Sequence, residues 1–146
     1  MKELPQVPRA ILAKVYEAAM SSFPEECCGW LAGPKGSDEI SLLRECENTE
    51  APENRRRAFA LGPTDLFALN KSFESRTPAK VFYHSHPNGR AFLSQVDIEA
   101  AISPWGDSPT YPLAQLVIAV DKTGIKEIAM FSWDESEKAF VEIPAE

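Results

Sequence analysis

The chain has 146 residues, 44% of them hydrophobic and 25% charged, which suits one soluble domain with a single buried core. Its net charge of -7 argues against a general nucleic-acid or membrane-surface binder. No apolar run reaches membrane-span length and no basic-then-apolar leader begins the chain, so a cytoplasmic location is expected.

Residues 1–6 read as a loose terminus. Pro8 suits a first helical turn, and Ile11, Leu12, Val15, Tyr16, Ala19 and Met20 recur at helical spacing, predicting a core-covering helix over 8–22 that ends before Pro24. Residues 28–33 form a short buried strand, 34–38 a turn and 39–47 a second strand, together a hairpin. Cys27 and Cys28, being adjacent, project to opposite faces. With Cys46 they read as reduced, partly buried thiols rather than a disulfide framework or a zinc site, for which the spacing is wrong. Residues 48–57 are polar and contain Arg55, Arg56 and Arg57. This stretch is either a solvated loop or a basic cluster for an acidic partner or a substrate carboxylate. A short strand over 58–61 and a second helix from Pro63 to about residue 75, with Leu66, Phe67, Leu69 and Phe73 on its apolar side, complete the first half.

Residues 80–86 are the central strand. A loop over 87–93 exposes Arg90 and Phe92. A third helix runs from Ser94 to about residue 103 and buries Val96, Ile98 and either Ala101 or Ile102. In the loop 103–112, Trp105 and Tyr111 either line a cleft or pack beneath the loop as a satellite cluster. The run 116–120 fits a strand buried on both faces, 121–124 a hairpin turn, 125–133 an alternating strand, and 139–143 a last strand. The pattern predicts an α/β fold with a single mixed β-sheet and helices packed on it, in one domain over 1–146 without internal repeats.

Both histidines of the chain, His84 and His86, end the central strand two residues apart, so both imidazoles share one face. Asp97 stands in the first turn of the following helix. Two imidazoles and one carboxylate fit a catalytic zinc that keeps a fourth position for water. Each half also has a local explanation. The histidines could be hydrogen-bonded core or edge residues, and Ser94-x-x-Asp97 matches a capping box. Zinc hydrolysis needs an acid–base group as well, and Glu25 and Glu26 stand just before the strand that can lie beside 80–86.

His84-Ser85-His86-Pro87, ten residues from 87 to 96, Asp97, and Ser94 three before it together resemble the JAMM/MPN+ metalloprotease family, short prokaryotic type. The upstream Pro-Glu-Glu-Cys-Cys-Gly-Trp-Leu-Ala-Gly is similar to that family's Glu-x-Cys-Gly-Leu-Leu-x-Gly and aligns its glutamate with Glu26, with Trp30 in place of a small aliphatic residue. The resemblance implies an MPN, cytidine-deaminase-like architecture. It implies one zinc ion (Zn2+) per chain on His84, His86 and Asp97, Glu26 as acid–base group, and Ser94 as hydrogen-bond donor to the oxyanion. Ser94 is expected to cap the helix or serve the oxyanion, not both at once, and Ser85 to point away from the metal. The implied activity is a metallopeptidase or isopeptidase cutting an amide bond at the C-terminal tail of a ubiquitin-like or sulfur-carrier protein, with a ubiquitin-like activating enzyme as a further partner. Substrate choice would fall to Arg90, Phe92, Trp105 and the arginine run. The alternative is a non-catalytic MPN scaffold, which would have lost one or more of the residues retained here. A nucleobase deaminase would need His-x-Glu and Pro-Cys-x-x-Cys, which are absent. A metallo-β-lactamase-like hydrolase would want an aspartate where Asn88 stands.

Overall fold

The computed structural model describes residues 6–103 and 108–143. In chain order these form α1 (Arg9–Ser22), β1 (Cys28–Ala32), β2 (Leu42–Cys46), α2 (Pro63–Ser72), β3 (Ala79–His86), α3 (Gln95–Ala101), β4 (Ala114–Asp121), β5 (Gly124–Asp134) and β6 (Ala139–Ile143). Among the described residues six strands make one sheet in the order β2-β1-β3-β4-β5-β6. The β3–β4 pair is parallel and every other pair antiparallel. A parallel pair needs a crossover, and α3 with its flanking loops supplies it. The mixed sheet, the β1–β2 and β4–β5 hairpins and the positions of the three helices match the sequence pattern.

Two apolar layers enclose the sheet. On one face Val15 and Ala19 of α1 pack on Leu31, Val81, Tyr83, Leu116, Ile118 and Val120. On the other, Leu69 of α2 packs on Cys28, Trp30 and Phe82. Every residue of β1 is buried, as are 116–120 of β4, because both faces are covered. Each large aliphatic side chain sealed there contributes about 2 kcal/mol. Gly29 is required by close approach: a Cβ there would lie 2.5 Å from the Tyr83 hydroxyl. Cys27 and Cys28 fall in opposite layers and all three thiols are free, as their spacing predicts.

Several expectations are corrected. Residues 58–61 are not a strand. Their hydrogen bonds go to the 48–49 turn, through Thr49 N–H to the Ala60 carbonyl and Ala60 N–H to Asn48 Oδ1, instead of to a sheet edge. The second strand is shorter than 39–47, and α3 stops at Ala101. Met20 is half-exposed. On α2, Phe67 is 67% exposed and Leu66 is also exposed, because this short helix covers the sheet with one ridge, centred on Leu69. Val96 is 56% exposed while Asp97 is buried. The helix cap sets this rotation, turning the carboxylate inward at the position where hydrophobic periodicity predicts Val96.

Candidate metal centre

Strand alternation carries His84 and His86, with Phe82, onto the α2 side of the sheet. Ser85 points to the other face, where its buried hydroxyl accepts a 2.7 Å hydrogen bond from Cys27 N–H. Pro87 cannot continue the ladder, and Gly89 turns the chain at φ +78. The loop then docks across β4 and β5. Ala91 and Leu93 pack on Val117, Ala129 and Phe131, and Ala91 N–H donates to Glu127 Oε1 at 2.8 Å. The loop therefore delivers α3 with its N-terminus over the histidines.

Ser94 caps α3. Its hydroxyl accepts from Asp97 N–H at 3.2 Å, while its own N–H donates to Asp97 Oδ2 at 3.0 Å, a capping box with aspartate in the third position. The same Oδ2 lies 3.1 Å from His84 Nε2 and 3.7 Å from His86 Nε2. The cap and the three-residue cluster are thus one structure. The cap uses a lone pair of the Ser94 hydroxyl and leaves its O–H able to donate, so the two jobs expected of it do not compete. Burial by itself would raise the Asp97 pKa. The hydrogen bond with His84 and the His86 ring close by outweigh it and hold the carboxyl far below the usual range. Burial likewise lowers His86, but the nearby Asp97 carboxylate, the hydrogen bond with Asn88 and the Glu26 charge leave its pKa raised.

Glu26 is 2% exposed and Glu25 half-buried. The antiparallel register that pairs Cys28 with His84 runs on through the Cys27–Ser85 hydrogen bonds and sets Glu26 across from His86 on the same face. Its backbone is held by Glu26 N–H to the Arg55 carbonyl at 2.7 Å and by Asn48 Nδ2–H to its own carbonyl at 3.0 Å. Burial pushes its carboxyl up to about 7, with His84 and His86 pulling the other way. Glu26 Oε1 has no hydrogen-bond partner among the described residues.

The loop residues split. The Phe92 ring meets His86 edge-on at 4.6 Å, whereas Arg90 is exposed with its backbone N–H on Asn88 Oδ1. Trp105 lies outside the described residues. Arg55 donates to the Glu50 carbonyl, and Arg56 and Arg57 are exposed. Tyr111 stacks on Phe73 at 5.7 Å and also lines a cavity of about 350 Å³ that opens beside His84 and Asp97 between α2 and α3. Phe59, Leu66, Ala100 and Ala101 are among the other walls. Phe59 also lies 5.0 Å from the His84 ring. Sequence reasoning missed Phe59 because it comes from the irregular stretch before α2. It passed over Asn88, which the Pro-Asn-Gly turn explains without any further role.

Two imidazole nitrogens and one carboxylate oxygen converge within 4.8 Å, all three residues buried. An ionised carboxylate facing two ring nitrogens, with an unpartnered glutamate oxygen nearby, is a donor set that fits a divalent ion with nitrogen and oxygen preference. Residues 8–134 match the family model described as prokaryotic homologs of the JAB domain. The chain belongs to this prokaryotic JAB-domain family. Among curated relatives, it is 32% identical over 96 residues to the desampylase of Haloferax volcanii, an alignment covering 65% of this chain and 68% of that one. It is 33% identical over 100 residues to the CysO-cysteine peptidase of Mycobacterium tuberculosis, covering 67% and 66%. The alignments thus span about two thirds of these relatives' length. The fold is shared with a JAB1/MPN domain protein from Archaeoglobus fulgidus, at TM-score 0.52 and 17% identity over 94% of this chain and 95% of that one. It is also shared with a Salinibacter ruber protein at TM-score 0.63 and 20% identity, over 97% and 89%.

Proposed function

We propose that this JAB-domain protein is a zinc-dependent metallopeptidase or isopeptidase. In this reading it hydrolyses an amide bond at the C-terminal tail of a ubiquitin-like or sulfur-carrier protein. The observation that carries the reading is the buried convergence of His84, His86 and Asp97 beside a glutamate whose pKa burial raises to about 7. The names desampylase and CysO-cysteine peptidase, borne by relatives, support the substrate class.

His84, His86 and Asp97 would hold one zinc ion, which when bound supplies a Lewis acid for the scissile carbonyl and a lowered pKa for the attacking water. Glu26 takes the water's proton on its unpartnered Oε1 and returns it to the leaving nitrogen. Its burial and its unpartnered oxygen, facing the three-residue cluster, suit it to hold that proton between the two transfers. Ser94, whose cap leaves its O–H free to turn, donates to the developing oxyanion, a contact worth about 3 kcal/mol of barrier. Phe92, Arg90 and Trp105 contact the substrate, and the apolar cavity beside His84 takes side chains of the tail. A ubiquitin-like activating enzyme is the expected upstream partner. The acidic surface fits neither nucleic acid nor an anionic membrane, and no described helix is long and apolar enough to cross one. A cytoplasmic site of action goes with this reading.

The test is a ubiquitin-like protein fused through its C-terminal tail to a reporter amine. Purified protein is expected to carry close to one zinc per chain and to release the reporter, and chelator should stop release. Release that continues unchanged in the metal-free protein would overturn the reading.

A further inference from the structure

We infer that Asn88 is a positioning residue that sets the tautomer of His86 and thereby aims its Nε2 lone pair at the metal position; this rests on the metal reading above. Asn88 Oδ1 lies 3.0 Å from His86 Nδ1 and accepts the Arg90 backbone N–H at 2.9 Å. A backbone N–H can only donate, so the atom facing it is the amide oxygen and not the amide nitrogen. The same oxygen faces His86 Nδ1. Nδ1 must then carry the hydrogen, and in the neutral ring Nε2 is left bare.

The second ring nitrogen lies 3.7 Å from Asp97 Oδ2. At that distance Nε2 is beyond hydrogen-bond reach of the carboxylate, whereas Nδ1 is 3.0 Å from Asn88 Oδ1, so the proton is held at Nδ1 and the gap between Nε2 and Asp97 is left to a cation. Asn88 thus disfavours the tautomer that would satisfy Asp97 with a proton and selects the one that binds a metal. The Arg90 N–H is therefore part of the device: without it the amide could flip and accept nothing from the ring. Phe92 meets the same ring edge-on at 4.6 Å and limits its rotation.

His84 has no such partner. Its Nδ1 is buried without a hydrogen bond among the described residues, and its ring is oriented by packing against Phe59. The two histidines are therefore held by different means, one by polar contact and one by apolar packing. Because Asn88 opens the loop that carries Arg90 and Phe92, a substrate that displaces this loop also disturbs His86.

The inference is tested on the purified protein with Asn88→Ala and Asn88→Asp. Zinc affinity is read by competition with a coloured chelator. The tautomer is read on the metal-free protein by long-range 15N–1H NMR of the two histidines at pH 8. The wild type should show His86 as the Nδ1–H form. Asn88→Ala should lose that preference and weaken zinc binding by roughly 10–100-fold. Asn88→Asp keeps an acceptor and should retain both the tautomer and the affinity. Wild-type zinc affinity in Asn88→Ala, or an Nε2–H ring in the metal-free wild type, would overturn the inference. The NMR result is independent of turnover. A wild type that shows the Nδ1–H ring yet cleaves no tail would refute the proposed function and leave the role of Asn88 standing.

Discussion

Replacing Glu26 by Gln should separate catalysis from stability in a way that depends on pH. The Glu26 carboxyl moves from an ordinary value of 4.5 to about 7 on folding, chiefly through burial. The folded state therefore prefers the protonated form. Below pH 4.5 the group is neutral in both states and folding is unaffected. As pH rises past 4.5 the unfolded chain ionises while the native carboxyl stays protonated, and native stability falls until the native group also ionises near 7. At roughly 1.4 kcal/mol per pH decade, the penalty grows from about 1 kcal/mol at pH 5 to on the order of 3 kcal/mol at pH 8. Glutamine carries no such penalty. It leaves an amide in the buried site instead, a cost that does not vary with pH. Urea denaturation of the metal-free proteins should show Glu26→Gln gaining about 2 kcal/mol on the wild type between pH 5 and pH 8. Zinc content should be retained and turnover should fall by at least about 100-fold. A stability difference that stays constant across this range would refute the assignment of a burial-raised carboxyl to Glu26. Retained turnover would remove it as the acid–base group. Were Glu25→Gln the inactive variant instead, the alignment of the glutamate would be off by one residue.

Asp97→Ala removes the acceptor for His84 and for the Ser94 N–H together, so it should abolish zinc binding and cost about 2 kcal/mol in the denaturant midpoint of the metal-free protein; a zinc-loaded variant would contradict the site. Ser94→Ala should lose about 1 kcal/mol of cap and about 100-fold or more in kcat. Ser94→Asp restores the acceptor without the O–H donor, so it should recover stability and not kcat. Recovery of both would show that the hydroxyl acts only as a cap. Ala101→Phe fills part of the 350 Å³ cavity beside His84 and should raise KM for the tail substrate with zinc content unchanged; an unaltered KM would place the tail elsewhere.

The reach of sequence reasoning differed among elements for identifiable reasons. The last strand, 139–143, and the double burial of 116–120 were legible because strand periodicity and continuous apolar runs are local signals. The stretch 58–61 looked equally strand-like, but its hydrogen bonds are taken by Asn48 and Thr49, ten or more residues earlier, which no local pattern reports. Helix α3 is the instructive case. Apolar spacing predicts Val96 inward, yet a buried carboxylate takes the inward position because both histidines and the cap converge on it. Here electrostatics and hydrogen bonding outweigh the burial of one valine.

The sequence by itself determined the three-residue cluster that could hold a metal and its order along the chain. His-x-His on a strand and an aspartate in a helix's first turn are spacings that covalent geometry converts into shared faces. Tertiary structure alone decided the rest. The β1–β3 register brings Glu26, and not Glu25, into the buried layer across from His86. The loop docked on β4 and β5 carries Phe92 onto one histidine, and residue 59 reaches the other from before α2. The orientation of the Asn88 amide depends on a backbone N–H two residues on. These are contacts between segments far apart in the chain or matters of which atom faces which, and a one-dimensional pattern carries neither distance nor direction.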